Sequence, residues 1–178
     1  MRPTLDFSSV HLSKQRWYPL VRKLANLLRH FPHLTHFLIS LYRLGRPRFS
    51  AGVTGVVFNA AGEVLLVEHA FHGSNPWGLP GGWVDRAEQL DEAIVRELQE
   101  ELQLTVQAEN VVHTQLSKGW RYHIHITFLC TAQGDVGELS PELLAFRWLP
   151  IEDLPDKMPS FQRQAILKAS QLRSACLP

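Results

Sequence analysis

Three glutamates stand at helical spacing near the middle of the sequence. Glu97, Glu100 and Glu101 occupy positions i, i+3 and i+4, so a helix places their carboxylates on one face, with Cβ atoms about 5–6 Å apart. Like charges at this spacing raise carboxylate pKa values and destabilise the helix, which predicts a compensating cation. A hard divalent ion such as Mg²⁺ fits this need because it prefers oxygen ligands and is often shared with substrate phosphates. Arg96 adds a fixed cation that can hold one carboxylate by a bidentate contact.

A pair of glycines, Gly81 and Gly82, precedes this helix. Because glycine has no Cβ, the backbone there can turn sharply and come close to a ligand or a metal. A backbone carbonyl of this turn would be a further oxygen ligand. Taken separately, the glycines are also typical of a plain turn, and the glutamates of a solvated helix face.

The same residues belong to one longer pattern: a glycine, five residues, a glutamate, seven residues and then Arg-Glu-Leu-Gln-Glu-Glu. The fixed positions are Gly82, Glu88, Arg96, Glu97, Leu98, Glu100 and Glu101. With the preceding Leu79-Pro80-Gly81-Gly82, this pattern resembles the Nudix box. Seven positions at fixed spacing are far more specific than a single glycine motif. The box spans residues 82–104, and the flanking elements are similar to a Nudix domain over residues 50–175.

Two positions depart from the family pattern. The family has glycine where this chain has Gln103, at the end of the helix, and often glycine at the position of Ala87. Forcing a non-glycine residue into the left-handed conformation costs on the order of 1–2 kcal/mol. We therefore expect a different exit from the helix, which affects local geometry and stability more than metal binding.

The resemblance implies a fold and an activity. The implied fold is of the α/β class, an α/β/α sandwich around a mixed sheet with an N-terminal helical extension. The implied activity is metal-dependent hydrolysis of a pyrophosphate linkage in a nucleoside diphosphate joined to another group. The substrate would be a dinucleotide, a nucleotide sugar, ADP-ribose or a nucleoside triphosphate. The alternative is a regulatory module that binds nucleotides with the same fold and hydrolyses them little.

The resemblance also implies the metal ligands and the general base. Mg²⁺ or Mn²⁺ would be bound by Glu97, Glu100 and Glu101, with the backbone carbonyl of Gly82 as a further ligand. The general base, which takes a proton from the attacking water, would be Glu97 or Glu100.

Supporting roles are implied for residues around these ligands. Arg96 would orient Glu97, and Glu88 would brace the loop through the same arginine. Some family members take the general base from a later loop, and Glu138 and Glu142 are the candidates for that arrangement here.

Aromatic residues outside the box are candidates for contact with the substrate. Tyr122 lies 18 residues after Leu104, the end of the box, where some dinucleoside polyphosphate hydrolases of the family have a tyrosine. The alternative is that Tyr122 is a core residue of a strand. Trp77, like Trp83 and Trp120, could stack on a nucleobase, although such residues usually pack in the core.

The elements that must position these residues follow from hydrophobic periodicity. Helices are predicted at 89–102 and 160–172, the first with Leu90, Ile94, Leu98 and Leu102 as its buried stripe. Strands are predicted in a hairpin at 53–58 and 64–67, and then at 105–113, 121–131 and 144–149. In the strand at 121–131, His123 and His125 share one face, where they could bind phosphate or metal or have a structural role.

The first 50 residues differ in charge from the rest of the chain. They contain nine basic side chains and one acidic, Asp6. Helices are predicted at 17–29 and 34–44, and a Gly-Arg-Pro-Arg linker follows. We therefore divide the chain into a basic helical extension, residues 1–48, and a hydrolase domain, residues 49–178.

Three roles are open for this extension. It could pack on the domain or on a second subunit, as in a homodimer. It could lie on an anionic membrane surface through residues 16–44, which is the weaker alternative. It could also bring cations close to the active site for polyphosphate substrates.

The overall composition excludes several classes. The chain has 178 residues, a net charge of +1 and only two cysteines, Cys130 and Cys176. A disulfide scaffold is therefore excluded, and a cytoplasmic location is predicted. Since the body of the domain is acidic, nucleic acid is not predicted as the main partner; the predicted partner is a small nucleotide-derived substrate. Neither a signal peptide nor a stretch long enough to span a bilayer is predicted.

Overall fold

A computed structural model of the protein describes residues 29–118 and 122–176, together with residues 19, 22, 23 and 26. Its internal contacts divide the chain into two units, Met1–Pro47 and Arg48–Pro178. Within the described residues, no helix combines the length and the apolar character that a bilayer span requires.

The first unit contains helix α1, Pro32–Leu44. The sequence predicted a helix at 34–44, and the observed helix begins two residues earlier because proline is well suited to the first turn, where no N–H donor is needed. None of its side chains is buried. The other helix predicted for this segment, at 17–29, falls almost entirely outside the described residues.

The second unit contains two sheets. The first is a mixed sheet of four strands in the order β4-β1-β6-β5, in which β1 is parallel to β6 and the other neighbours are antiparallel. Its strands are β1 Phe49–Val57, β4 Gly81–Trp83, β5 Thr105–Lys118 and β6 Tyr122–Gln133. The second is an antiparallel sheet in the order β3-β2-β7. Its strands are β2 Val64–His69, β3 Trp77–Gly78 and β7 Leu143–Leu149.

The predicted hairpin of β1 and β2 is wrong. A tight turn does join them, since the N–H of Asn59 donates to the carbonyl of Glu63 at 3.0 Å and a single bridge pairs Phe58 with Val64. Beyond this bridge the strands separate into different sheets. One edge of β1 is paired with β6 along its whole length, and the other is paired with β4 over Gly52–Thr54, so β2 cannot continue along β1 there.

Helices cover both faces of this arrangement, which confirms the predicted α/β/α sandwich. Helix α2, Leu90–Leu102, packs in one core cluster with inward side chains such as Val53 of β1 and Leu65 of β2. Helix α3, Ser160–Cys176, packs in a second cluster with Val56 and Leu66, whose side chains lie on the other face of β1 and β2. Alternate side chains of the same strands therefore point to different helices.

Helix α2 begins one residue after the predicted start, with Gln89 as its N-cap. Ile94, Leu98 and Leu102 are fully buried, as predicted for the stripe. Leu90 is not: it is 39% exposed, because it lies in the first turn, away from the contact with the sheets.

The exit from α2 keeps the left-handed turn despite the missing glycine. Gln103 has φ 48° and ψ 31°, and the N–H of Leu104 donates to the carbonyl of Leu98 at 3.2 Å, as in a glycine-terminated helix. The expected change of exit geometry is therefore wrong. Ala87 also has a positive φ, 65°. At both positions, Ala87 and Gln103, a non-glycine residue thus adopts a positive φ, which strains the backbone.

This strain predicts that Ala87→Gly stabilises the protein. We expect a gain of about 1 kcal/mol in the free energy of unfolding, because glycine adopts positive φ without a Cβ clash. Urea unfolding of the two proteins measures it. The matched control is Ala60→Gly in the exposed β1–β2 turn, where φ is not positive, and there we expect a loss of stability. Equal losses in both variants would show that Ala87 is not strained.

Candidate active site

The glycine turn lies in β4, which runs antiparallel to β1 with Gly82 opposite Val53. Gly81 has φ 141°, and a Cβ there would overlap the carbonyl oxygen of Val53. A Cβ on Gly82 would lie 2.5 Å from the carboxylate of Glu97. Gly81 is therefore required by the close approach of the β1 backbone, whereas a side chain at Gly82 would displace the carboxylate of Glu97.

Glu101 is the most buried of the carboxylates on α2, with 7% of its surface exposed. Its Oε2 accepts a hydrogen bond from the N–H of Gly81 at 2.9 Å, which ties the helix to the glycine turn. Burial raises the pKa of Glu101 to about 7, and the charges of Glu97, Glu142 and Glu100 add to this effect against the Gly81 hydrogen bond. This carboxyl group is thus poorly neutralised by the protein alone.

Arg96 joins three carboxylates and one carbonyl. Its Nε and Nη2 donate to Glu88 at 2.7 and 3.0 Å, and its Nη1 donates to Glu97 at 3.0 Å and to Glu100 at 3.1 Å. Nη2 also donates to the carbonyl of Trp83 at 3.0 Å. The guanidinium therefore fixes the helix, the loop before it and β4 relative to one another.

The pKa values of two partners of Arg96 move in opposite directions. The pKa of Glu88 falls to about 2, first because of the Arg96 hydrogen bonds and then because the N–H of Asp85 also donates to it. The pKa of Glu97 is raised, because burial outweighs the contribution of the same arginine. The negative charge of Glu88 is therefore stabilised by Arg96, whereas that of Glu97 is not fully compensated and would be stabilised by a further cation.

The donor set on this face fits a hard divalent cation. Three carboxylates, those of Glu88, Glu97 and Glu100, contact the Arg96 guanidinium, Glu101 lies on the same helix against the glycine turn, and the ligand atoms of all four are oxygens. Among the residues that the structure describes, no three acidic, histidine or cysteine side chains already converge on one point as a metal site requires. The reason is visible in the hydrogen bonds, since the carboxylates are directed to Arg96 and to the N–H of Gly81.

The later-loop carboxylates differ in their positions. Glu142 lies close enough to Glu101 to raise its pKa. Glu138 lies at the exit of α2, where its N–H donates to Oε1 of Gln103 at 3.4 Å. Of the two, Glu142 is beside the carboxylate cluster.

A cleft of about 490 Å³ opens beside the glycine turn. Seven of the side chains that line it are aromatic: His69, His72, Trp77, Trp83, His123, His125 and Phe161. No charged side chain lines it among the described residues. Burial lowers the pKa values of His69, His123 and His125, with neighbouring histidines adding to the effect on the first and third. The surroundings of these three histidines therefore favour their neutral forms.

The two histidines predicted to share a strand face do so, and both have polar partners. Nδ1 of His123 lies 2.8 Å from the hydroxyl of Ser50, and Nε2 of His125 lies 2.9 Å from that of Ser117. Their rings are 4.4 Å apart. Each has one ring nitrogen in use within the protein, which favours the structural alternative for that nitrogen.

The predicted substrate residues are separated by the fold. Trp77 lines the cleft, and the guanidinium of Arg147 lies 4.8 Å from its ring centre. Tyr122 stands at the exposed start of β6, its ring 5.4 Å from that of Phe49, and is not among the cleft residues. Trp120 is outside the described residues. Neither His69, at the end of β2, nor His72, in the segment that follows it, was predicted as a cleft residue, because single histidines carry no periodic signal.

An α/β/α sandwich that presents a carboxylate-rich helix behind a glycine turn is the architecture of the pyrophosphohydrolases expected from the sequence. Comparison with known proteins names the family. The model of the NUDIX domain matches residues 48–169, so the chain belongs to the NUDIX family.

Individual relatives agree with this assignment. A MutT-like protein of Streptomyces ambofaciens is 29% identical over 114 residues, which are 63% of this chain and 71% of that protein. The chain spans 39% or less of three other curated relatives.

Two solved structures share the fold. The MutT protein from Methanosarcina mazei Go1 has a TM-score of 0.61 at 24% identity, covering 72% of this chain and 97% of that one. A UDP-X diphosphatase has a TM-score of 0.62 at 16% identity, covering 89% of this chain and 82% of that one.

Proposed function

We propose that the protein hydrolyses a pyrophosphate linkage in a nucleotide-derived small molecule, with Mg²⁺ or Mn²⁺ held by Glu97, Glu100, Glu101 and the carbonyl of Gly82. The observation that carries this proposal is the buried, poorly neutralised Glu101 on the same helix face as Glu97 and Glu100, beside an open cleft. A divalent ion bound here supplies positive charge against the phosphate oxygens of the substrate.

The chain's own residues have distinct proposed roles in the reaction. Arg96 holds Glu97 and Glu100 in place, and Glu88 holds Arg96. Glu97 or Glu100 takes the proton from the attacking water, and a raised pKa suits Glu97 for that role near neutral pH. The cleft binds the rest of the substrate, and we retain Trp77 as a contact for it.

The substrate class stays a proposal with several members: nucleoside triphosphates, nucleotide sugars, ADP-ribose and dinucleotides. A panel of these compounds, assayed with Mg²⁺, with Mn²⁺ and with chelator, tests the function. We expect turnover only with metal. Glu97→Gln should lower turnover at least about 100-fold, because losing several kcal/mol of transition-state stabilisation has that effect.

The matched control for this panel is Asp91→Asn, which removes a carboxylate from the exposed first turn of the same helix. It should leave turnover unchanged. A panel without turnover, in which nucleotides still raise the thermal stability, would contradict the proposed hydrolase and support the nucleotide-binding module instead.

Residues 1–48 carry two further proposals. Contact with a second subunit, as in a homodimer, is supported by the absence of buried side chains in α1. Contact of residues 16–44 with an anionic membrane is the weaker alternative. The cytoplasmic location is likewise proposed, and Cys130, a buried free thiol, fits a reducing compartment.

A further inference from the structure

Gln162, in the first turn of α3, is buried and only half satisfied. Its side chain is among the cleft residues, and 9% of its surface is exposed. Its Oε1 accepts a hydrogen bond from the N–H of Leu79 at 3.0 Å. Its Nε2 has no hydrogen-bond partner among the described residues. Because this nitrogen is not among the fully buried polar atoms without a partner, it is accessible to solvent, and a ligand in the cleft can accept its hydrogen bond.

The orientation of this amide follows from its one partner. Of the two polar atoms of the amide only Oε1 accepts a hydrogen bond, so the Leu79 N–H assigns Oε1 to the protein side and turns the NH₂ group the other way. Gly78 leaves room for the amide, because a Cβ there would lie 3.0 Å from Oε1 and 3.5 Å from Nε2. The side chain therefore offers a donor, and not an acceptor, to whatever enters the cleft.

The backbone that carries Gln162 is also held in place. Its own N–H donates to the carbonyl of Pro159 at 3.0 Å. The next residue, Arg163, donates from Nη2 to the carbonyls of Pro155 at 2.8 Å and Leu154 at 3.3 Å. The amide is thus presented from a rigid support, which lowers the entropic cost of binding.

The surroundings of Gln162 suit a flat, uncharged group. Phe161 lies against His125 with ring centres 4.5 Å apart, and Trp77 lines the same cleft. The charged groups, in contrast, lie on α2 behind the glycine turn. A nucleotide is divided in the same way into an uncharged part and a charged part, because its base is planar and uncharged and its phosphates are anionic.

We propose that this cleft binds the nucleobase and that Gln162 selects bases with a keto oxygen, guanine, hypoxanthine or uracil, by donating from Nε2 to that oxygen. Bases with an amino group at the corresponding position, adenine and cytosine, place a donor against this donor. This inference rests on the proposed function, which supplies the nucleotide, and it narrows the substrate class of that same site.

The test uses the full chain and ligands that differ at the relevant group. Binding of IMP is compared with that of AMP, and binding of UMP with that of CMP, by calorimetry, which needs no hydrolysis. We expect the keto ligand to bind about tenfold more tightly in each pair, the size of effect of one well-placed base contact. Equal affinities within both pairs would overturn the inference.

Gln162→Glu gives the sharper test. The carboxylate keeps an acceptor for the N–H of Leu79 but replaces the donor by an acceptor, so the preference should reverse towards AMP and CMP. The control is Gln164→Glu, the same change at an exposed position of α3, which should keep the preference for keto bases. If Gln162→Glu does not fold, as shown by its thermal denaturation, the wild-type comparison decides the question.

Failure of this inference can be told apart from failure of the proposed function. Metal-dependent hydrolysis of the panel without discrimination between keto and amino bases would overturn the selection by Gln162 and leave the hydrolase standing. Selective binding of keto nucleotides without hydrolysis would support the base site and contradict the hydrolase.

Discussion

Glu101→Gln is expected to lower turnover at least about 100-fold and, at the same time, to stabilise the metal-free protein at alkaline pH. Turnover falls because a proposed metal ligand loses its charge. Stability rises because the carboxylate is buried beside other carboxylates, while glutamine keeps the acceptor for the N–H of Gly81 without the charge. A merely structural residue would not show this opposite pair of effects.

The direction of the pH effect follows from the raised pKa of Glu101, about 7 in the folded protein against an ordinary value of 4.5. The folded state prefers the protonated form of Glu101. The contribution of this group to the free energy of unfolding is therefore complete below pH 4.5 and is lost as the pH rises through 7. That contribution is on the order of 3 kcal/mol. The wild-type protein should therefore lose stability relative to Glu101→Gln between pH 5 and pH 8.

The measurement is the difference in Tm between wild type and Glu101→Gln, without metal, from pH 5 to 9. A difference is needed because the lowered pKa values of His69, His123 and His125 act in the opposite direction, adding stability as the pH rises towards 6.5. Glu152→Gln, at an exposed position, is the control and should follow the wild type. Parallel curves for wild type and Glu101→Gln would contradict the assigned environment of Glu101.

Arg96→Lys is expected to lower turnover about 10- to 100-fold, the usual effect of losing a residue that orients metal ligands. Lysine keeps the charge but has a single nitrogen, which cannot reach Glu88, Glu97, Glu100 and the Trp83 carbonyl together. We also expect a loss of about 1–3 kcal/mol in the free energy of unfolding, because the site is partly exposed to solvent.

The control for this prediction is Arg86→Lys, the same change at an exposed arginine ten residues earlier. Activity assays and urea unfolding of both variants separate the role of the guanidinium geometry from that of the charge. Equal behaviour of the two variants would show that Arg96 acts only as a positive charge.

Long periodic segments were predictable from the sequence. The helix at 89–102 and the strand at 121–131 are within two residues of their observed bounds, since each buries one face and repeats that choice over many residues. The short strands β3 and β4 were missed, because two or three residues within a glycine- and proline-rich stretch carry no period. The predicted pairing of β1 with β2 was wrong, because the local sequence pattern does not determine which strand becomes the neighbour of another.

The shared helix face of Glu97, Glu100 and Glu101 was predictable because these residues lie within five residues of one helix. The cleft could not be predicted, because its residues come from distant parts of the sequence. Gln162 and Leu79 are far apart in sequence and meet only because α3 packs beside β3 and the residue that follows it, Leu79. The reach of Arg96 to Glu100 and to the Trp83 carbonyl also depends on how β4 lies against α2.

The separation of β1 and β2 into different sheets leaves the cleft lined from both: Trp83, His123 and His125 belong to the first sheet, and Trp77 and Gly78 to the second. The glycine turn and the carboxylate helix belong with the four-stranded sheet, whereas Trp77 and Gly78 belong to the three-stranded sheet, next to Gln162. Under the proposed function, a substitution on the three-stranded side would change which molecule is recognised and would leave the carboxylates of α2 in place. Descendants with new substrates could therefore inherit the proposed metal ligands unchanged.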